Sequence, residues 1–349
     1  MRLALNLGYH VGRGSPRHQL ALTQEAQRLG FSIVWVAEAY GSDAPSVLGW
    51  LTAHTNTIGI GSAVLQIPAR TPAMTAMTTA TLDMLSSGRF HLGLGVSGPQ
   101  VVEGWHGVPF WQPLTRTREY VAIVRSVLRR ERLVHDGASY QIPLPGGRGK
   151  ALQLMLHPHR EQVPIYLGAA GPRNLELTGE IADGWLPPFF SPAHADEQLS
   201  HIRAGRARAG KDLTGFDIAP TVAVVIDEDL TTCVDRVRPY IALYIGGMGS
   251  RRQNFYNQLA TRMGFGEAAR DVQSLYLSGD VAAAAAAVPP ELVDAVSLLG
   301  PPARIARRLH DFAAAGVTTL VAGLRGDGAA GITTLRQLAE AAHASGVLS

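Results

Sequence analysis

The 349-residue chain carries a single cysteine, Cys233, so neither an intramolecular disulfide framework nor a thiolate metal cluster can form. No run of about 18 consecutive apolar residues occurs, which excludes a membrane-spanning helix of ordinary length. The opening Met1-Arg2-Leu3-Ala4-Leu5-Asn6 lacks the apolar core and cleavage site of a secretory signal. With the lone thiol, this makes the cytoplasm the expected compartment. Charged residues are only 17% of the chain, lysine is scarce beside arginine, and the net charge is a mild +3. No basic stripe interleaved with aromatics appears, so nucleic acid is not an expected partner. The chain also lacks H-E-x-x-H and any His/Asp/Glu set with ligand spacing, which argues against a metal site. A G-x-S-x-G elbow is missing too, and no G-x-G-x-x-G follows the first strand.

What the chain does have is apolar material, 46% of its residues, arranged as short apolar runs alternating with amphipathic stretches. Predicted strands are Leu3–Gly8, Ile33–Ala37, Ile58–Leu65, Phe90–Gly95, Pro164–Ala169, Gly184–Leu186, Ile218–Ile226 and Thr318–Ala322. Helices are predicted after Ser15-Pro16, over Pro45–His54, Pro72–Leu85, Tyr120–Arg130, Pro172–Ile181, Ala193–Ala209, Thr231–Gly246 and Ile332–Ala342. Continuous apolar strands between such helices mean a parallel sheet buried on both faces. Eight repeats in one chain predict a (β/α)8 TIM barrel, a single domain over 1–349. Two stretches interrupt the alternation. A β-hairpin excursion is expected at about 135–162, after strand four, and a helical insertion at about 251–302, between strands seven and eight. Both are expected near the barrel mouth, and the run Ala282–Ala287 in the second reads as good helix former, with a mobile lid as the second reading.

Barrel enzymes place their chemistry just beyond the C-terminal ends of the strands. Those ends are Gly8–His10, Glu38–Tyr40, Ser62–Gln66, Val96–His106, Gly168–Arg173, Leu186–Phe190, Val224–Asp227 and Gly323–Arg325. The run Arg89–Gly107 stands out: an apolar strand with Gly93 and Gly95 opens into Ser97-Gly98-Pro99-Gln100-Val101-Val102-Glu103-Gly104-Trp105-His106-Gly107. Such a loop is costly to keep unless it binds something. Gly168-Ala169-Ala170-Gly171-Pro172 leads a strand through small residues into a helix start, where free N–H groups and the positive helix end suit an anion. Glu103, His106 and His10 are candidate proton donors. His91, mid-strand, reads as structural. The arginines Arg118, Arg125, Arg129 and Arg132 read as a solvated helix face.

The Arg89–Gly107 run resembles a signature of the bacterial-luciferase-like superfamily, in the branch of coenzyme F420-dependent oxidoreductases. The resemblance covers Met1 to about Phe190 and returns at strand eight. It implies a deazaflavin cofactor, F420, with FMN as the alternative, and hydride transfer to or from an organic substrate. It places the coenzyme phosphate at Gly168, Ala169, Ala170, Gly171 and Pro172. It places a non-prolyl cis peptide at Ala63–Val64 against the coenzyme ring, with Ser62, Ser97, Gly98 and Gln100 beside the cofactor. Glu38 would lie near the ring as a catalytic and cofactor-binding acid, with Tyr40, Trp105 and Phe189 around the substrate. Some of the helix arginines, with Arg70, Arg148 or Lys150, would meet the coenzyme's anionic tail. The sequence departs from the pattern at Ala39, where a histidine is usual, and at Gly98, where a glutamate is usual. The rival readings are an FMN-dependent monooxygenase, a non-catalytic flavin-binding protein of the same fold, and an unrelated phosphate-sugar barrel enzyme. The expected partners are a small-molecule substrate and a second copy of the chain, with no membrane.

Overall fold

A computed structural model describes residues 1–8, 16–160, 162–251, 253–325 and 328–348. Strands one to eight are Arg2–Asn6, Ile33–Val36, Gly59–Ser62, Phe90–Gly95, Ile165–Gly168, Gly184–Trp185, Asp217–Val225 and Thr319–Leu324. Strand three resumes as Leu65–Gln66 after a bulge, and strand seven is interrupted at Ala219-Pro220. All pair in parallel in sequence order, and strand eight pairs with strand one, Leu3 opposite Leu320. The ring closes through strand seven. Its first residues pair with strand six, and Thr221–Val225 pair with strand eight. The fold is the expected (β/α)8 barrel.

The two-residue period of each strand sorts its side chains. Leu3, Leu5, Val34, Val36, Leu92, Leu94, Ile165 and Leu167 face outward into the layer beneath the helices. Ala4, Ile33, Trp35, Tyr166, Ala219 and Val321 face the lumen. Trp35 and Tyr166 are large for that space, with ring centroids 5.1 Å apart in an edge-on contact. They fit because their neighbours have no side chain. A Cβ on Gly61 would lie 2.4 Å from the Trp35 ring, and one on Gly184 would lie 2.4 Å from the Tyr166 ring. His91 joins the same layer, 5.8 Å from Tyr166. Burial first, and then the charge of Arg160, pushes its pKa down to about 4, so it is a neutral filler residue near pH 7. Below it, Asp217 accepts from Tyr166 at 2.9 Å and Thr319 at 2.8 Å and pairs with Arg2 at 2.8 Å, which closes the lower end of the barrel with satisfied polar groups.

The excursion forms the expected hairpin, His135–Asp136 against Gln141–Ile142, with the Glu119 carboxylate accepting the N–H groups of Ala138, Ser139 and Tyr140. Its position corrects the expectation. It connects the helix Pro113–Leu128 back to strand five, at the N-terminal end of the barrel. There Arg160 grips the fully buried Asp83 at 2.8 Å and also donates to the Phe90 carbonyl at the start of strand four. It lies beneath the barrel, away from the mouth. The second insertion does lie at the mouth, and its helices build a separate apolar core with Val225, Val234, Val237 and Ile241. It also contains a strand, Ser297–Leu299, paired with strand seven, where only helices were expected. A further helix, Pro302–Ala314, packs Ile305, Leu309 and Phe312 before strand eight.

Because the lumen is filled ring against glycine, Gly61→Ala should lower stability by about 1–3 kcal/mol through overpacking. Gly171→Ala, where a Cβ meets nothing within 4 Å, should leave it nearly unchanged. Urea unfolding midpoints of the two variants against the parent check this pair.

Candidate active site

At the end of strand three, Ser62 is fully buried and clasps strand four with both its hydrogen-bonding functions. Its Oγ donates to the Gly93 carbonyl at 2.9 Å and accepts from the Gly93 N–H at 2.9 Å. Gly93 has to be glycine, because a Cβ there would lie 1.9 Å from the Ser62 carbonyl oxygen. The next peptide, Ala63–Val64, is cis, as the resemblance implies. Val64 is carried over the ends of strands four and five: a Cβ on Gly95 would lie 2.6 Å from it and one on Gly168 3.5 Å. The hydroxyl of Ser62 is therefore used within the barrel, and its part at the site is to hold the bulge that positions Val64.

Glu38 ends strand two and is buried. The expectation of a carboxylate available to a bound ring meets one that is already engaged. Arg70 donates to it at 2.7 Å, and the N–H groups of Gln66 and Ala44 approach at 3.3 and 3.4 Å. Arg70 also pairs with Asp43 at 2.6 Å. Burial disfavours the Arg70 charge, but Glu38 and then Asp43 outweigh that effect and raise its pKa. This network ties strand two to the bulge and removes Arg70 from the cations available to a coenzyme tail. The helix arginines are similarly engaged: Arg118 with Glu180, Arg125 with Asp183 and Arg129 with Glu131.

The signature loop contains a short helix, Pro99–Gly104, where a loop was expected. Ser97 enters it at a φ of 59°, in the left-handed region, and Gly98 is the N-cap residue. Gln100 spans the mouth, its Nε2 donating at 2.9 Å to the carbonyl of Gly249, just before the insertion. Glu103 is exposed and accepts the Phe110 N–H at 3.1 Å, so it shapes the loop and does not sit in a dry pocket. Trp105 is 68% exposed and Tyr40 59%. His106 differs from these, because its Nε2 is enclosed and has no hydrogen-bond partner among the described residues. His10 lies outside the described residues.

The Gly168–Pro172 loop leads into a helix over Pro172–Ile181, with Gly171 as an N-cap that has no side chain to offer. A helix start leaves its first N–H groups without intrahelical acceptors, and here no capping side chain takes them up. A Cβ on Gly171 or on Gly98 would meet nothing within 4 Å, so the space beside both is open. The loop's carbonyls are braced from behind. Trp185 Nε1 donates to Ala169 at 3.0 Å, and Arg262 of the insertion donates to Ala170 at 2.9 Å. Arg262 lies 92 residues from its acceptor, and nothing in the sequence signals that contact. Phe189, expected to line the substrate pocket, is instead buried in an aromatic group with Tyr240, Tyr244 and Tyr256, at centroid distances of 5.6–6.1 Å. It anchors the insertion to strand six. Among the described residues, no group of three His, Cys, Asp or Glu could hold a metal, and no helix is long and apolar enough to cross a membrane.

The sequence profile of the luciferase-like monooxygenase family matches residues 2–319. A Mycobacterium tuberculosis protein, provisionally named a coenzyme F420-dependent oxidoreductase, is 44% identical over 92% of this chain and 94% of its own. The 5,10-methylenetetrahydromethanopterin reductase of Methanolobus tindarius is 32% identical over 85% of this chain and 87% of its own. Among solved structures, a coenzyme F420-dependent tetrahydromethanopterin reductase from Methanopyrus kandleri superposes with a TM-score of 0.82 at 22% identity, covering 97% of each chain. An F420-dependent secondary alcohol dehydrogenase holding an F420–acetone adduct gives 0.79 at 18% identity, covering 97% of this chain and 98% of its own. At those identities the two structures establish the fold. With the profile spanning most of its length and a relative at 44% identity, this chain belongs to the luciferase-like monooxygenase family.

Proposed function

We propose that this enzyme is a coenzyme F420-dependent oxidoreductase acting on a small organic substrate, by reduction of a C=C or C=N bond or by alcohol–carbonyl interconversion. The observation that carries the reading is the 44% identity, over nearly the whole of both chains, to a relative named for that coenzyme. The residues fit such a group. The uncapped N-terminus at Gly171 and the open space beside it suit a phosphate, and Val64, above Gly95 and Gly168, offers an apolar support for a flat ring. When bound, F420 supplies the hydride chemistry at its C5, and the protein supplies binding, orientation and protons. The N–H groups at the start of the Pro172–Ile181 helix bind the anion, and Arg262 holds their loop in place from the insertion. Val64 and the buried Ser62–Gly93 clasp set the depth to which a ring can sink into the mouth. With Glu38 paired and Glu103 exposed, His106 Nε2 is the group we assign to hold the proton. A cytoplasmic homodimer completes the reading, supported by Met74, Met77, Met84 and Leu85, which leave an apolar stripe exposed on one helix.

Three measurements test it. Titration of the purified protein should give tight F420 binding and FMN binding at least about tenfold weaker, a gap of about 1.4 kcal/mol. Equal or tighter FMN binding would overturn the coenzyme assignment. Gly171→Asp should abolish most of the F420 affinity without loss of stability. The introduced carboxylate has room, would cap the helix start, and would repel a phosphate from the N–H groups it occupies. Normal coenzyme binding by this variant would place the phosphate elsewhere. Finally, His106→Ala should lower turnover by about 10²-fold with coenzyme affinity retained, whereas Glu103→Gln should leave turnover within about twofold. Full activity of the His106 variant, where a substrate isotope effect shows chemistry to be limiting, would remove the histidine from the mechanism.

A further inference from the structure

Arg325 follows the last residue of strand eight, at the mouth. Counting by two from Val321, which faces the lumen, puts Gly323 and Arg325 on the inward side. The geometry agrees. A Cβ on Gly323 would lie 3.8 Å from Arg325 Nη2 and 3.4 Å from Thr221, whose hydroxyl accepts from Asn6 at 3.0 Å across the top of the lumen. The guanidinium carbon lies over the ring of Tyr240, 3.7 Å from its centroid. Stacking uses the face of the guanidinium and leaves its edge, with the N–H donors, free. Nothing among the described residues takes that edge: Arg325 has no carboxylate partner, and its Nε is enclosed without an acceptor. Arg70, Arg118, Arg125, Arg160 and Arg304 all have carboxylates. A half-buried cation oriented by an aromatic ring and lacking an acceptor is a preformed half of a bidentate ion pair.

We propose that Arg325 selects the organic substrate by receiving a carboxylate, and that the substrate is an acid with an aromatic or extended apolar body. The assignment rests on the reading of the site as an F420-dependent oxidoreductase and adds its substrate class. Tyr240, backed by Phe189 at 6.1 Å and Tyr244 at 4.6 Å, gives that body an aromatic wall beside the cation. Strand eight stands across the ring from strand four, which carries His106 on its loop, and the anion loop follows strand five. A substrate held by its carboxylate at Arg325 therefore directs its other end towards the proton donor and the coenzyme phosphate side. Sequence position hides this pairing, because Tyr240, on the helix after strand seven, and Arg325, at the end of strand eight, are 85 residues apart and meet only in the folded barrel.

The test is calorimetric titration of the F420-loaded enzyme with cinnamate and with methyl cinnamate, in parallel with titration of F420 itself. Wild type should bind cinnamate and take the ester about tenfold or more weakly. Arg325→Met should lose cinnamate affinity by about tenfold or more while its affinities for the ester and for F420 stay within about twofold. Arg325→Lys, which keeps the charge without the fork, should fall between them. Equal cinnamate binding by wild type and Arg325→Met overturns the proposal, and so does failure of wild type to bind cinnamate. A parallel loss of F420 affinity in Arg325→Met also overturns it, because the arginine would then belong to the anionic coenzyme. If wild type does not take F420, the coenzyme assignment fails separately, and the same titrations on the unloaded protein still decide the role of Arg325.

Discussion

Space inside a ring of eight strands is short, and the rest of this structure depends on how it is shared. Trp35 and Tyr166 occupy the lumen only because Gly61 and Gly184 yield it. The same exchange continues upward, where Gly93 gives way to the Ser62 carbonyl and Gly95 to Val64. The lower half of the barrel is therefore a close-packed plug, and the upper half is a platform whose height is set by one buried serine clasping strand four. A cofactor-binding mouth needs such a floor, because a ring held by apolar contact is positioned only as well as the surface beneath it.

The main polar groups at the two ends of the barrel draw on different elements. At the lower end, Asp217 and Asp83 have donors from several elements, and His91 is kept neutral by burial. At the mouth, Glu38 and Arg70 satisfy each other and fix the bulge, while the helix start at Gly171, the Nε2 of His106 and the Nε of Arg325 have no partner to meet them. The acids that look most reactive by position, Glu38 and Glu103, are the ones already used for support.

The two excursions show how position along the chain can mislead. Each interrupts the alternation of strands and helices, yet the hairpin lies on a connection from a helix back to a strand, and the helical insertion on the connection that leaves strand seven at its C-terminal end. In a parallel barrel these two kinds of connection lie at opposite ends. The hairpin therefore braces the lower end through Arg160 and Asp83, and the connection from strand seven reaches the site through Tyr240 of its first helix, Gly249, and Arg262 of the insertion.

Strand and helix order, the barrel, and the ends at which the site would lie are legible along the chain, because apolar periodicity and the glycine, proline and N-cap signals are local. The helices Pro72–Leu85 and Pro172–Ile181 and the strand Phe90–Gly95 were legible to the residue for that reason. The bulge at Ala63–Val64 came from family resemblance, since nothing in the residues themselves demands it. Tertiary structure alone decided which polar side chains were already paired. Glu38 found Arg70, Glu103 the Phe110 N–H, and Phe189 a ring of tyrosines, while Arg325 found an aromatic face and no anion among the described residues. Apart from the Glu103–Phe110 contact, these partners come from elements tens of residues apart, so the state of each side chain exists only once the barrel has closed and the insertion has folded over it.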